Sequence, residues 1–173
     1  MRTIFAIFLL TNIVFTAKAQ MPPEPEEFSS PVISVGNVVA NLEKSVDFYT
    51  NVIGMTKTGS FSVDVEKAKE LGLSDKYKLD VTVLKLEDSP QANEWKLMSF
   101  GTKPGHKKPN WIHDDTGMQY ITILVNHLDP FIERVKKNNI QILSGEPSSL
   151  GDGSFFILIQ DPDGTFIELI GPR

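Results

Sequence analysis

The chain has no cysteine, so neither a disulfide nor a thioether-linked lipid anchor is available to it. Positive charge is also short: 17 Lys and Arg face 22 Asp and Glu, a net charge of −5 with histidines neutral. That balance excludes nucleic acid and an anionic membrane surface as natural partners, since both reward clustered cations. The only basic cluster, Lys103, His106, Lys107 and Lys108, is followed by Asp114 and Asp115 and reads as a solvated loop. Histidine is scarce too. His106 and His113 stand near Asp114 at a spacing that matches no zinc pattern, and His127 sits where a helix is about to begin. Neither a phosphate-binding loop nor a nucleophile elbow occurs, and Gly151-Asp152-Gly153 is most simply a turn. One long apolar run exists, Ile4–Leu10 continued by Ile13-Val14-Phe15. Thr11 and Asn12 interrupt it, and it falls short of the roughly 20 apolar residues that a membrane span needs.

That run has the parts of an export signal. Arg2 supplies the positive start and Ala17-Lys18-Ala19 the small-residue cleavage site. Residues 1–19 are expected to be a signal peptide removed before Gln20, which sends the protein to the periplasm or outside the cell and leaves it free of the membrane. Losing Arg2 and Lys18 leaves 15 basic against 22 acidic residues. Residues 20–31 hold four prolines and three glutamates and read as a flexible linker. The ordered domain is expected over residues 32–173. Without disulfides it must rely on its core, and a chain of about 150 residues buries roughly two-thirds of its unfolded surface.

Within that domain a pattern occurs twice, 86 residues apart. Val39-Ala40-Asn41-Leu42-Glu43 returns as Val125-Asn126-His127-Leu128-Asp129, each after a β-branched strand and at the start of an amphipathic helix. Such repetition implies two copies of one unit, each burying its apolar face with the help of the other, and a cleft between the copies is the expected place of function. Asn41 is a good cap for the first helix, which puts Leu42, Val46, Tyr49 and Ile53 on one face and closes at Gly54. Strands are expected near 55–62, 78–86 and 94–100, with a short helix from Asp64 to Leu71. A loop over 101–117 holds Trp111 and His113. The pattern then restarts with a strand at 120–125, a helix at 128–138, a short strand at 141–143, and strands at 154–160 and 165–170. Asp161-Pro162-Asp163-Gly164 fits a type I turn between the last two.

The motifs Val39-Ala40-Asn41-Leu42-Glu43-Lys44-Ser45, Phe48-Tyr49, Ile53-Gly54-Met55 and Asp161-Pro162-Asp163-Gly164 before Phe166-Ile167-Glu168-Leu169 resemble those of the vicinal oxygen chelate superfamily. That group includes glyoxalase, bleomycin-resistance and extradiol dioxygenase proteins. The resemblance covers about residues 32–171. It implies an α+β fold of two βαβββ modules, whose strands form a concave mixed sheet with helices on the convex side, and a homodimer by analogy with relatives. It also implies, in the metal-dependent members, a divalent cation held by His, Gln or Glu at four positions on the first and last strands of each module. Carried over, those positions fall on Ser34, Lys96, Tyr120 and Glu168, of which Glu168 alone has the residue type of a ligand. Lys96 would repel a cation, so no cofactor is expected, with a divalent metal as the alternative.

The register that places these residues on the concave face gives it Ser34, Lys96, Met98, Phe100, Tyr120, Thr122, Leu124, Phe166, Glu168 and Ile170. It places Ile33, Val35, Val39, Ile121, Ile123, Val125, Ile167 and Leu169 against the helices, with Asn37 the one polar residue there. An isolated acid among apolar neighbours needs a partner, and Lys96 is the natural one for Glu168, with Tyr120 and Ser34 completing the hydrogen bonds. The pair is readable as a structural plug, as a polar anchor for a bound small molecule, or as a working site. In the last case Glu168 is the general base and Lys96 or Tyr120 stabilises an oxyanion. Ser34, Met98, Phe100, Thr122 and Phe166 would line the ligand pocket, and Trp111 would close over it as a lid. Two functions follow: a metal-independent small-molecule binding protein, or a glyoxalase-like lyase or isomerase acting next to a carbonyl.

Overall fold

A computed structural model describes residues 27–173. The expected signal peptide and all but the end of the expected linker lie outside the described residues. The chain divides into two units, Met1–Ser30 and Pro31–Arg173, and the described part of the first holds no helix or strand. Among the described residues, no helix is long and apolar enough to cross a membrane.

The second unit is α+β and is built as two four-stranded sheets. The first contains β1 (Ser34–Val38), β2 (Thr56–Val63), β3 (Leu79–Lys85) and β4 (Glu94–Met98) in the order β1-β4-β3-β2. The second contains β5 (Tyr120–Leu124), β6 (Ser148–Ser149), β7 (Phe155–Gln160) and β8 (Phe166–Gly171) in the order β5-β8-β7-β6. Each sheet is mixed: β1 runs parallel to β4 and β5 parallel to β8, and the other pairs are antiparallel. The duplication in the sequence is therefore a duplication of topology.

Local chemistry sets the helices. Asn41 caps α1 (Leu42–Asp47), its Oδ1 accepting the Lys44 N–H at 2.9 Å. The helix widens into a π-helical stretch over Phe48–Ile53 and stops at Gly54, whose φ of 92° suits a residue without Cβ. Asp64 caps α2 (Val65–Glu70) in the same way as Asn41. The second-module helix, α3 (Asp129–Lys137), takes Pro130 in its first turn and has no side-chain cap; the Leu128 N–H instead donates to Pro172 O.

One apolar core joins the two modules. Phe48, Tyr49 and Val52 after α1, with Ile132 and Val135 of α3, pack with Trp95 and Leu97 of β4 and with Ile157, Ile159, Ile167 and Leu169 of β7 and β8. The expected helix-packed residues Val35, Val39, Ile121, Ile123, Val125, Ile167 and Leu169 all belong to it. Arg134 of α3 adds a polar tie between the modules, donating to Val52 O at 2.8 Å and Ile53 O at 3.2 Å.

Two expectations are corrected. Ile33 is exposed rather than packed against a helix, because the strand begins one residue later and the Ile33 N–H turns to Asn93 Oδ1. No strand forms at 141–143: Leu143 donates once to Leu158 O, Gly145 turns the chain, and the ladder resumes at Ser148 and Ser149. The short α2 packs in a cluster of its own, apart from α1 and α3. Ala68 of α2 packs with Leu79, Val81, Val83, Met98 and Phe100. Val83 pairs with Lys96, so α2 covers the opposite face of the first sheet from α1.

Candidate functional site

On the face away from α1, Ser34 of β1 sits directly across from Glu94 of β4 and donates its hydroxyl to Glu94 Oε2 at 2.7 Å. Lys96, two residues along the same strand and so on the same face, reaches Glu94 Oε2 at 3.0 Å. Lys85 of β3 lies 3.8 Å from Glu94 Oε1 and donates to Ser89 O. The Ser34 hydroxyl, and after it Lys96, holds the Glu94 carboxyl below the usual carboxylate range. A lowered value in the folded chain adds stability that is present above the ordinary carboxylate pKa and is lost as pH falls through the lowered one. Glu94 was missed in the sequence because strand alternation alone did not single it out beside Lys96.

The second sheet repeats the device. Thr122 of β5 pairs with Glu168 of β8, and its hydroxyl donates to Glu168 Oε2. Each sheet thus carries one hydroxyl-to-glutamate bond across its parallel strand pair. The expected ion pair between Lys96 and Glu168 does not form. Lys96 is engaged by Glu94 on its own strand, and Glu168 has no ion-pair partner among the described residues. Ser34 serves Glu94 rather than Glu168, and Thr122 takes the hydrogen-bonding role expected of Tyr120, whose exposed hydroxyl bonds to no other described residue.

The remaining expected residues fall as follows. Met98 and Phe100 are half-buried under α2, with Tyr77 tilted against Phe100 at 5.4 Å between ring centroids. Phe166 is fully buried and offers no surface to a ligand. Trp111 is 66 % exposed and stacked on His113. The residues before it are tied to the turn after β7: Lys108 Nζ donates to Asp161 O and Gln160 Nε2 to Pro109 O. Leu124 is 76 % exposed, and Val38, its counterpart in the first module, 55 %. Both side chains stand at the last position of their strands. One cavity of about 370 Å³ lies between the end of β1, Val38 included, the 102–119 loop and the turn at Asp163–Thr165, and another of about 610 Å³ lies beside α1 and the 138–143 segment.

Asn37, the one polar residue on the core side of β1, has a buried Nδ2 with no partner. Asp161 is the most heavily used buried polar group. Its Oδ1 accepts the N–H groups of Asp163, Gly164 and Thr165, and its Oδ2 accepts the Tyr49 hydroxyl at 2.9 Å. Burial raises the Asp161 pKa, opposed by the Tyr49 hydroxyl and the backbone donors; burial, then the neighbouring Asp161, raises that of Tyr49. Asp163 accepts from Ala40 N and Ser45 Oγ. The turn that reads as a hairpin connector is therefore also a latch between the modules.

The metal of the resemblance does not fit these residues. Among the described residues, no three His, Cys, Asp or Glu side chains are grouped so as to hold an ion. Glu94 already has two lysines close by, and Ser34 and Lys96 occupy one of its oxygens. A divalent cation needs several converging donors and no competing ammonium.

With that fold and these motifs in place, residues 33–169 match the model of the Glyoxalase/Bleomycin resistance protein/Dioxygenase superfamily, and the chain belongs to that superfamily. Solved structures agree at the level of fold. A glyoxalase family protein from Bacillus cereus superposes with a TM-score of 0.67 at 18 % identity, covering 85 % of this chain and 96 % of that one. A glyoxalase/dioxygenase from Nostoc punctiforme gives 0.59 at 16 % identity, covering 91 % and 99 %. Glyoxalase I of Leishmania major, described as trypanothione-dependent, gives 0.57 at 22 % identity, covering 83 % and 87 %. No curated protein sequence matches the chain.

Proposed function

We propose that this is an exported glyoxalase-like protein that binds a small molecule against the outer faces of its sheets, without the divalent cation of its metal-dependent relatives. The observation that carries the reading is the exchange at equivalent positions: Lys96 occupies in the first module the place that Glu168 occupies in the second, and it neutralises a neighbouring acid. Polar groups held at fixed positions on a largely apolar sheet are what a small-molecule site provides. The exposed Val38 and Leu124 support a homodimer in which a second copy covers them. Export rests on the leader read from the sequence.

Native mass spectrometry of protein recovered from outside the cytoplasm tests the export, the missing metal and the dimer. The expected species is a dimer of chains that begin at Gln20, with no stoichiometric metal. One Ni, Zn, Fe or Mn per chain would overturn the metal-free reading, a retained leader would overturn export, and a monomer would overturn the dimer.

A second reading is a lyase or isomerase acting next to a carbonyl, with Glu168 as general base. It is favoured by the freedom of that carboxylate, which takes one hydroxyl and no cation and so can accept a proton. Deuterium exchange into the carbon next to a bound ketone, followed by NMR, is the measurement. Glu168→Gln should slow it about 100-fold or more; equal exchange in both proteins excludes the role.

A further inference from the structure

The outer face of the first sheet carries two cations and one acid, and the excess is not on the protein surface at large. Lys85 and Lys96 have side chains only 13 % and 25 % exposed, and Glu94, 27 % exposed, lies between them. The chain as a whole is acidic. A purely structural plug would balance its charges, because an ammonium withdrawn from water without a counter-charge is costly. Here one positive charge is left over. Hydrogen-bonding capacity is left over as well. Each ammonium has three N–H donors; Lys96 spends one on Glu94, and Lys85 spends one on Ser89 O while standing 3.8 Å from Glu94.

The surroundings are apolar. The Lys96 ammonium lies 5.7 Å from the centre of the exposed Phe61 ring, and Val83 and Met98 share its face. Gly36 keeps the floor low, since even a Cβ there would only reach ordinary contact with Met98 at 3.6 Å. From this geometry we infer that the first sheet binds an organic monoanion. Its carboxylate meets Lys85 and Lys96, and its aromatic or branched apolar body lies on the exposed Phe61 ring. A single excess charge matches a monoanion, whereas a dianion would leave a negative charge unpaired. The inference rests on the small-molecule reading above and names the chemical class of its ligand.

The test uses the purified mature protein with two probes of the same shape, 3-phenylpropanoate and its neutral amide. Affinity is read by isothermal titration, and the place of binding by amide NMR shifts at Gly36, Phe61 and Lys96. The acid is expected to bind at least about tenfold more tightly than the amide. Lys96→Met should weaken the acid by a similar factor and leave the amide unchanged. Glu94→Gln, which raises the local charge by one, should tighten the acid; it carries the test alone if Lys96→Met does not fold. Equal affinity for acid and amide, with shifts on this face, would overturn the anion class and leave the binding reading standing. No shifts on this face with either probe would overturn both.

Discussion

Asp161→Ala is expected to lower stability by about 3–5 kcal/mol, the scale reached when one member of a buried, hydrogen-bonded polar network is removed. The size follows from the number of groups left behind. The backbone N–H groups of Asp163 and Thr165 lose their acceptor, that of Gly164 keeps only the Asp161 carbonyl at 3.2 Å, and the fully buried Tyr49 hydroxyl is left without an acceptor across the module boundary. For a domain of this size the melting temperature should fall by roughly 10 °C. Tyr49→Phe keeps the ring against Trp95 and removes only the hydroxyl, so it should cost about 1–2 kcal/mol. Thermal and denaturant melts of the two variants decide the matter. A loss below about 1 kcal/mol for Asp161→Ala would show that water satisfies these donors and that the turn is not a latch.

That latch shows where the sequence was legible and where it was not. The strands and helices follow from short-range causes: Asn41 and Asp64 cap their helices, Gly54 stops one, and β-branched alternation marks β1, β5 and β8. The faces were legible too, because a period of two assigns Val35, Ile123 and Leu169 to the core together. Partner choice was not. Lys96 bonds to Glu94 on its own strand because two residues along a strand is a closer neighbour than a residue in another sheet, and nothing in the spacing measures that other distance. The same limit hid the tie from Tyr49 to Asp161, which spans 112 residues. A two-residue strand at Ser148 and Ser149 likewise has no hydrophobic period to announce it. Pairing across modules depends on how two cores join, and periodicity describes only one element at a time.

Gly171→Ala should cost about 2–4 kcal/mol, although it adds a single methyl group. The added Cβ would lie 2.2 Å from Val125 O and 3.0 Å from Val125 C, with Val125 Cγ2 at 2.7 Å. A flexible side chain could swing away, but a backbone carbonyl held on both sides cannot. Val125 N already donates to Ile170 O at 2.8 Å, and on its other flank Gly171 is paired with Phe155. Relief requires β8 to move away from β5, and that displacement passes up the strand to Glu168, whose bond from Thr122 depends on the same register. The substitution should therefore shift the Thr122 and Glu168 NMR signals as well as lower the denaturation midpoint. Gly59→Ala is the matched control: it sits in a strand of the other sheet, its Cβ meets nothing within 4 Å, and its φ is not positive, so it should change stability by less than about 1 kcal/mol. If both alanine variants unfold within about 0.5 kcal/mol of the parent, the β5–β8 contact is softer than its geometry demands, and the rigid pairing of Thr122 with Glu168 fails with it.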